Sequence, residues 1–149
     1  MYREMIGKRS VKVLNIVEPG TVSKFAHAIG DAHPIYLDPE YAKNSRHRRN
    51  IAPATFPRTF DDGKIEGLDL PEKGLIHGTQ SFYYERPLYV GESVYCYKEI
   101  KNYYEKKGGS GVMGFLVIES NGDDRDGHTI FTSTAIIVIS EAVRKGINP

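Results

Sequence analysis

The 149-residue sequence has no tryptophan, a single cysteine, no excess of charge of either sign and no long apolar run. The lone Cys96 cannot close an intrachain disulfide, which excludes a disulfide-stapled secreted scaffold. Lys and Arg total 20 against 19 Asp and Glu, a net charge of +1, so no whole-molecule field would hold the chain on nucleic acid or an anionic membrane. Any basic site has to be local. No apolar stretch approaches the ~20 residues of a membrane-spanning helix. The opening MYREMIGKRS lacks the apolar stretch and small-residue cleavage site of a signal peptide. The expectation is a cytoplasmic protein with neither a membrane nor a nucleic-acid partner. A hydrophobic fraction of 40% with 26% charged residues is that of a globular chain, and the length suits a single domain over 1–149.

What is abundant is tyrosine, ten in all, with Tyr83, Tyr84, Tyr89, Tyr95, Tyr97, Tyr103 and Tyr104 crowded into one stretch that suits half-buried strands. The patterning divides the chain in two. In the first part, Val11 to Val17 is β-branched and reads as a strand. Val22, Phe25, Ala26 and Ile29 share one helical face, entered through Pro19-Gly20-Thr21 and stopped by Gly30 as a left-handed cap. Asp31 is thereby delivered just past a helix end. Asp38-Pro39-Glu40 reads as an N-cap, a first-position proline and an acidic first turn. Between these helices lies Gly30-Asp31-Ala32-His33-Pro34-Ile35-Tyr36, a turn rich in titratable groups. A short buried helical piece is expected from about Ala54 to Phe60, because Pro57 in a first turn forfeits no internal hydrogen bond. Asp61 to Lys73 reads as a loop. From Leu75 onward, Leu75 to Arg86, Ser93 to Tyr104, Gly111 to Asn121 and Thr129 to Ser140 read as strands with short connections, which predicts an antiparallel meander. With the N-terminal strand they make a five-stranded sheet able to curl around one helix, an α+β architecture.

Several chemical signals fail on spacing. Gly108-Gly109-Ser110-Gly111 lacks the Lys and the strand-then-helix context of a phosphate loop and reads as a hairpin turn. Asp123, Asp124 and Asp126 miss the ligand spacing of a calcium loop, and the five histidines show no metal-ligand spacing, so no metal is expected. Cys96 reads as a small buried hydrophobe. Arg46-His47-Arg48-Arg49 is the one concentrated basic run. It is either a solvated loop or, near a helix N-terminus, a set of guanidinium forks for a phosphorylated ligand.

The blocks Phe25 to Tyr36, Asp38-Pro39-Glu40-Tyr41-Ala42, Ile51-Ala52-Pro53-Ala54-Thr55-Phe56 and Ile76 to Leu88 leading to Gly91-Glu92 occur in the order of the MaoC-like dehydratases. The chain resembles that family, which includes (R)-specific enoyl hydratases, and most resembles its N-terminal-domain type. The likeness covers about Val17 to Val94. It implies a hot-dog fold, a five-stranded antiparallel sheet wrapped around a central helix. It also implies reversible addition of water to a trans-2-enoyl thioester of coenzyme A or acyl carrier protein, with no cofactor beyond that substrate.

That chemistry needs a carboxylate and an imidazole on one water, donors for the charge developing on the thioester oxygen, and an apolar slot for the acyl chain. By the resemblance, Asp31 matches the catalytic aspartate, and the backbone near Ala54, with Thr55 and Phe56 behind it, matches the oxyanion donor. The asparagine of the motif is His33 here, and its catalytic histidine falls on Tyr36. A phenol of pKa ~10 is protonated at neutral pH and is no substitute for imidazole.

Three readings follow. The chain is the acyl-binding member of a hot-dog heterodimer whose partner brings the Asp and His. Alternatively, it is a self-sufficient homodimeric hydratase in which His33 or His77 replaces the missing imidazole. In the third reading it only binds acyl thioesters, or hydrolyses them as a thioesterase. In each, Arg46, Arg48 and Arg49 are the candidates for the carrier's phosphate, and the tyrosine-rich strands are the expected wall of the acyl pocket. Plain structural roles also fit: Asp31 as a turn cap, His33 as a turn residue, His77 as a satisfied strand histidine.

Overall fold

The computed structural model describes residues 2–146; Met1 and residues 147–149 lie outside them. After a 3₁₀ helix at Arg3–Met5 come β1 (Val13–Ile16), α1 (Pro19–Ala28), α2 (Pro34–Leu37), α3 (Pro39–Lys43) and a second 3₁₀ helix at Phe56–Thr59. Then follow β2 (Leu75–Tyr84), β3 (Ser93–Gly108), β4 (Gly111–Asp123), β5 (Thr129–Ile139) and α4 (Glu141–Arg144).

α1 ends as its sequence predicts. Gly30 takes φ 73°, and the N–H groups of Gly30 and Asp31 turn back to the carbonyls of His27 and Ala26 at 3.1 and 2.9 Å. Its apolar face buries Val22 and Ala26, and Phe25 meets Phe56 edge-on with ring centres 5.5 Å apart. Asp38 caps α3, its Oδ1 accepting from the N–H of Glu40 at 3.0 Å.

All five strands pair antiparallel, in the order β1-β3-β4-β5-β2. The expected meander therefore holds for β3, β4 and β5 only. β2 does not neighbour β3, because β1 occupies that edge, with Val13 opposite Cys96. The chain leaving β2 is instead drawn across by the segment at 50–52: Ala52 N–H donates to Leu88 O at 2.8 Å and Val90 N–H to Asn50 O at 3.0 Å. Leu88 is buried there, and β2 lies against β5 on the far side.

The inner face of the sheet carries two separate apolar clusters. One gathers Val17, Val22, Phe56, Leu88, Val94, Cys96 and Phe131. The other gathers Tyr2, Met5, Ile65, Ile100, Leu116, Ile118 and Ile139. Between them runs a polar row of cross-strand neighbours, Lys98, Ser120 and Ser133, with Gln80 donating to the Ser133 hydroxyl.

The helical piece expected at 54–60 is one 3₁₀ turn. Phe56 and Phe60 do stack edge-on as an i,i+4 pair, 5.4 Å apart. The turn stops because Asp61-Asp62-Gly63 follows, with Gly63 at φ 79°. The covering segment then continues as a loop tied down by polar groups. Asp62 receives Ser120 Oγ at 2.7 Å and pairs with Lys98 Nζ at 3.2 Å, while its carbonyl accepts from Ser10 Oγ at 2.6 Å. Farther along, the loop lays Ile65, Leu68 and Leu70 on the second cluster.

The tyrosines are mostly turned away from the interior cavities. Tyr83 is exposed on the opposite face from Phe82 and Tyr84, and Tyr97 packs under the cations of Arg9 and Lys12. Tyr104 stacks flat on Phe115, and Tyr103 belongs to the second cluster. The expected tyrosine wall thus reduces to Tyr84 and, from the first half, Tyr36. Cys96 is buried as expected, and that burial, with Asp62 nearby, pushes its thiol up to about 12.

Gly122 has no space for a side chain, since an added Cβ would stand 2.2 Å from Cε1 of Phe131. Gly122→Ala must displace that ring, and overpacking of this kind costs about 1–3 kcal/mol. Thermal denaturation should show a lowered midpoint; an unchanged midpoint would contradict this packing.

Candidate functional site

The turn after α1 brings three of the sequence-predicted residues together. The Asp31 carboxylate stands at the Tyr36 phenol, and burial followed by the charge and hydrogen bond of Asp31 pushes that phenol above its ordinary value of 10. At neutral pH Tyr36 is therefore a neutral phenol and takes up no proton itself. His33 lies beside them, its ring 6.2 Å from that of Tyr36 and 5.5 Å from that of Tyr41. Its Nδ1 accepts the N–H of Ile35 at 3.0 Å, so His33 is the N-cap of α2. An asparagine, another natural capping residue, would do the same work.

Tyr36 lines a cavity of about 420 Å³ with Ala52, Ala54, Tyr84, Arg86 and Leu88. The Tyr84 hydroxyl donates to Ala54 O at 2.6 Å and fixes that peptide. Burial raises the Tyr84 phenol well above its ordinary range, so the donor proton stays in place. Among the described residues the N–H groups of Ala54 and Thr55 make no hydrogen bond, whereas that of Phe56 is taken by Pro53 O at 2.9 Å. The N–H groups of Ala54 and Thr55 are thus free to donate, whereas that of Phe56 is already engaged. A four-residue 3₁₀ turn also contributes little macrodipole, so the donors act as individual N–H groups.

His77 is elsewhere. It lies seven residues before Tyr84 on β2, roughly 23 Å along the strand, and faces a separate cavity of about 320 Å³ with Arg58, Gln80 and Phe131. Within one chain His77 is not brought to Asp31.

The basic run follows the C-terminal end of α3 in sequence, and Arg48 and Arg49 lie beside the first turn of that helix, at Pro39 and the acidic Glu40. Arg48 and Arg49 join Lys43 and Asn50 around an open depression of about 560 Å³, and Arg46 is not part of it. Arg48 occupies the left-handed region at φ 58°. Arg49 lies over Tyr89, 4.4 Å from its ring centre, and Arg86 lies 5.1 Å from the same ring. Tyr89 therefore couples the basic depression to the Tyr36–Ala54 cavity. Arg86 is held by a two-pronged pair with Glu92, at 2.8 and 2.7 Å. Asn50 ties the two regions again, donating to the carbonyls of Ile35 and Asp38 at 2.8 and 3.2 Å. The sequence placed Tyr84 and Tyr89 only within the expected tyrosine wall and gave no role to Arg86 or Asn50. The Arg86-Pro87-Leu88 and Gly91-Glu92 block was the available signal for them.

In the β4–β5 turn, Asp124, Asp126 and His128 bring donor atoms within 4.8 Å of one another. Asp124 Oδ1 there accepts the N–H groups of Asp126 and His128, the bonds of an ordinary turn. Among the described residues no helix is long and apolar enough to cross a membrane.

A family model described as FAS1-like, dehydratase domain region, matches residues 4–133. The chain belongs to that dehydratase family. It is 33% identical over 124 residues to a UPF0336 protein of Thermobifida fusca, covering 79% of each chain. In three dimensions this FAS1-like dehydratase domain is similar to the HadBC (3R-hydroxyacyl-ACP dehydratase) complex from Mycobacterium tuberculosis, with TM-score 0.73, 17% identity and coverage of 93% and 99%. It is also similar to the (R)-hydratase from A. caviae, with TM-score 0.69, 23% identity and coverage of 90% and 96%. These likenesses establish the hot-dog fold that the motifs implied, and the family is one of dehydratase-type enzymes.

The capping role of His33 is directly measurable. His33→Ala should speed amide exchange at Ile35 by roughly tenfold, the scale of a lost N-cap, while His33→Asn should leave it near the wild-type rate. Equal exchange in all three chains would contradict the cap.

Proposed function

We propose that this chain is the acyl-thioester-binding subunit of a 3-hydroxyacyl-thioester dehydratase, working with a partner hot-dog chain. The observation that carries the reading is the phenol of Tyr36 at Asp31, in the place where hydration needs an imidazole. A water molecule adding to an enoyl thioester gives its oxygen to C3 and a proton to C2, and the reverse reaction removes both. A carboxylate and imidazole supplied by the partner would hold that water and shuttle the proton. This chain would contribute the rest. The Ala54 and Thr55 N–H groups would receive the charge that develops on the thioester oxygen. Arg48, Arg49 and Lys43 would receive the phosphates of coenzyme A or the carrier arm.

Support for a partner comes from the sheet. β2 is an edge of ten residues with no neighbour on its outer side among the described residues, and Ile76 and Tyr83 on it are exposed. Open edges of this length are normally covered. The similar HadBC structure is itself a complex of two kinds of chain. A second reading, a homodimeric hydratase active by itself, draws on His33, whose ring packs against Tyr36.

Hydration of crotonyl-CoA and of a longer enoyl-CoA separates the two. The isolated chain should be inactive or nearly so, and addition of a hot-dog partner carrying its own Asp and His should restore turnover. In that mixture Asp31→Asn should change kcat by no more than a few-fold. Strong hydration by the isolated chain, loss of the mixture's activity with Asp31→Asn, or hydrolysis of the thioester in place of hydration would overturn the proposal.

A further inference from the structure

Two cavities of this chain lie close together and stay separate. The first, of about 420 Å³, is the one with Tyr36, Ala52, Ala54, Tyr84 and Leu88. The second, of about 320 Å³, is walled by Phe60, Leu68, Phe82, Ile118 and Phe131. Among the described residues none lines both. Between them stands one pair of rings. Tyr84 faces the first cavity, Phe131 faces the second, and their ring centres are 5.8 Å apart.

A wall selects by size only if it cannot swing aside, and both of these rings are held at more than one point. The Tyr84 hydroxyl donates to Ala54 O at 2.6 Å while its ring rests on Phe131. Phe131 is only 2% exposed, and its ring centre is 6.2 Å from that of Phe60. On its other contact the ring lies over Gly122, so closely that even a Cβ there would come within 2.2 Å of it. Turning Phe131 to another rotamer has to displace one of these neighbours.

The place of the wall follows from Tyr84. That one side chain reaches from Ala54, the candidate thioester end, to Phe131. An acyl chain seated at Ala54 therefore gains apolar contact with Ala52 and Leu88 over its first carbons. A longer chain meets closed packing one tyrosine length farther on, and its end is left in water.

We propose that the Tyr84–Phe131 pair sets the acyl length this chain accepts, that the accepted acyl groups are short, and that Phe131 is the positioning residue that holds the wall closed. The inference rests on the acyl-thioester reading above. It adds the substrate class: a short acyl thioester, with no gain from further methylenes.

Calorimetric titration of the full chain with butyryl-CoA and with decanoyl-CoA tests this without turnover, since neither ligand has a double bond to hydrate. Each methylene that finds an apolar wall adds about fourfold to affinity, so an open slot would favour decanoyl-CoA by a thousandfold or more. The wild-type chain should instead bind the two within about tenfold of each other. Phe131→Ala opens the wall onto Phe60 and Phe82, and should raise the decanoyl-to-butyryl affinity ratio by about tenfold or more, with a smaller rise in Phe131→Leu. A merely structural role for Phe131 would weaken both ligands alike and leave the ratio unmoved. Phe131→Leu keeps the site largely filled should the alanine variant not fold, and the wild-type comparison needs no substitution. A wild-type preference for decanoyl-CoA beyond about tenfold, or a folded Phe131 variant with the wild-type ratio, would overturn the inference while leaving the thioester-binding role intact. Failure of both ligands to bind, with or without a partner chain, would instead remove the thioester reading and this inference with it.

Discussion

An antiparallel sheet with one apolar face must have that face covered, and this chain covers it with very little helix. One 3₁₀ turn, Phe56–Thr59, sits over the first apolar cluster, and a loop carries Ile65, Leu68 and Leu70 over the second. A loop can take this place only if its backbone and charges are satisfied. Asn15 exchanges hydrogen bonds with the backbone of Asp61, and Asp62 descends onto Lys98 and Ser120. From that constraint follow the split core, the polar row between its halves and the cavity above it. The same constraint shapes the turn at Ala54 and Thr55, whose N–H groups stand as individual donors positioned by Tyr84 and not by a helix axis.

The second organising contact is the crossing of the 50–52 segment with the chain after β2. It buries Leu88, sends β2 to the far edge beside β5 and places Arg86, Tyr89 and Arg49 in one stack. The cavity at Tyr36 and Ala54 and the basic depression are thereby joined through that stack. Asn50 extends the same junction to the turn that bears Asp31 and Tyr36. The groups proposed to bind a thioester and the phosphates of its carrier thus share one connected frame. The proton-transfer pair is incomplete on that same frame, since the phenol at Asp31 is held protonated.

Much of the fold was legible in the sequence where a local rule governs. The α1 face and its Gly30 stop, the Asp38 cap and the β3–β4–β5 hairpins all follow from spacing and turn residues. The position of β2 was not legible, because it depends on a long-range contact between Ala52 and Leu88 that no local pattern encodes. The tyrosines misled for a related reason. Alternation along a strand says that neighbours face opposite ways without saying which face is inside, and Tyr83 and Tyr97 took the outer one. At the candidate site, motif order located Asp31, Tyr36 and Ala54, which the structure does bring together. It could not show that His33 is occupied as a cap, that His77 faces another cavity, or that Lys98, Ser120, Ser133 and Gln80 meet across four strands.

The central proposal is that this chain supplies the binding frame of a hydratase site, with Asp31 idle for want of an imidazole at the position of Tyr36. Tyr36→His in the isolated chain, assayed for crotonyl-CoA hydration against wild type and against the double substitution with Asp31→Asn, tests it most directly. The account predicts a rise on the order of 10²–10⁴-fold, the usual contribution of a positioned acid–base group, and its loss in the double variant. A Tyr36→His chain that keeps its fold and binds acyl-CoA yet hydrates no faster than wild type would contradict it.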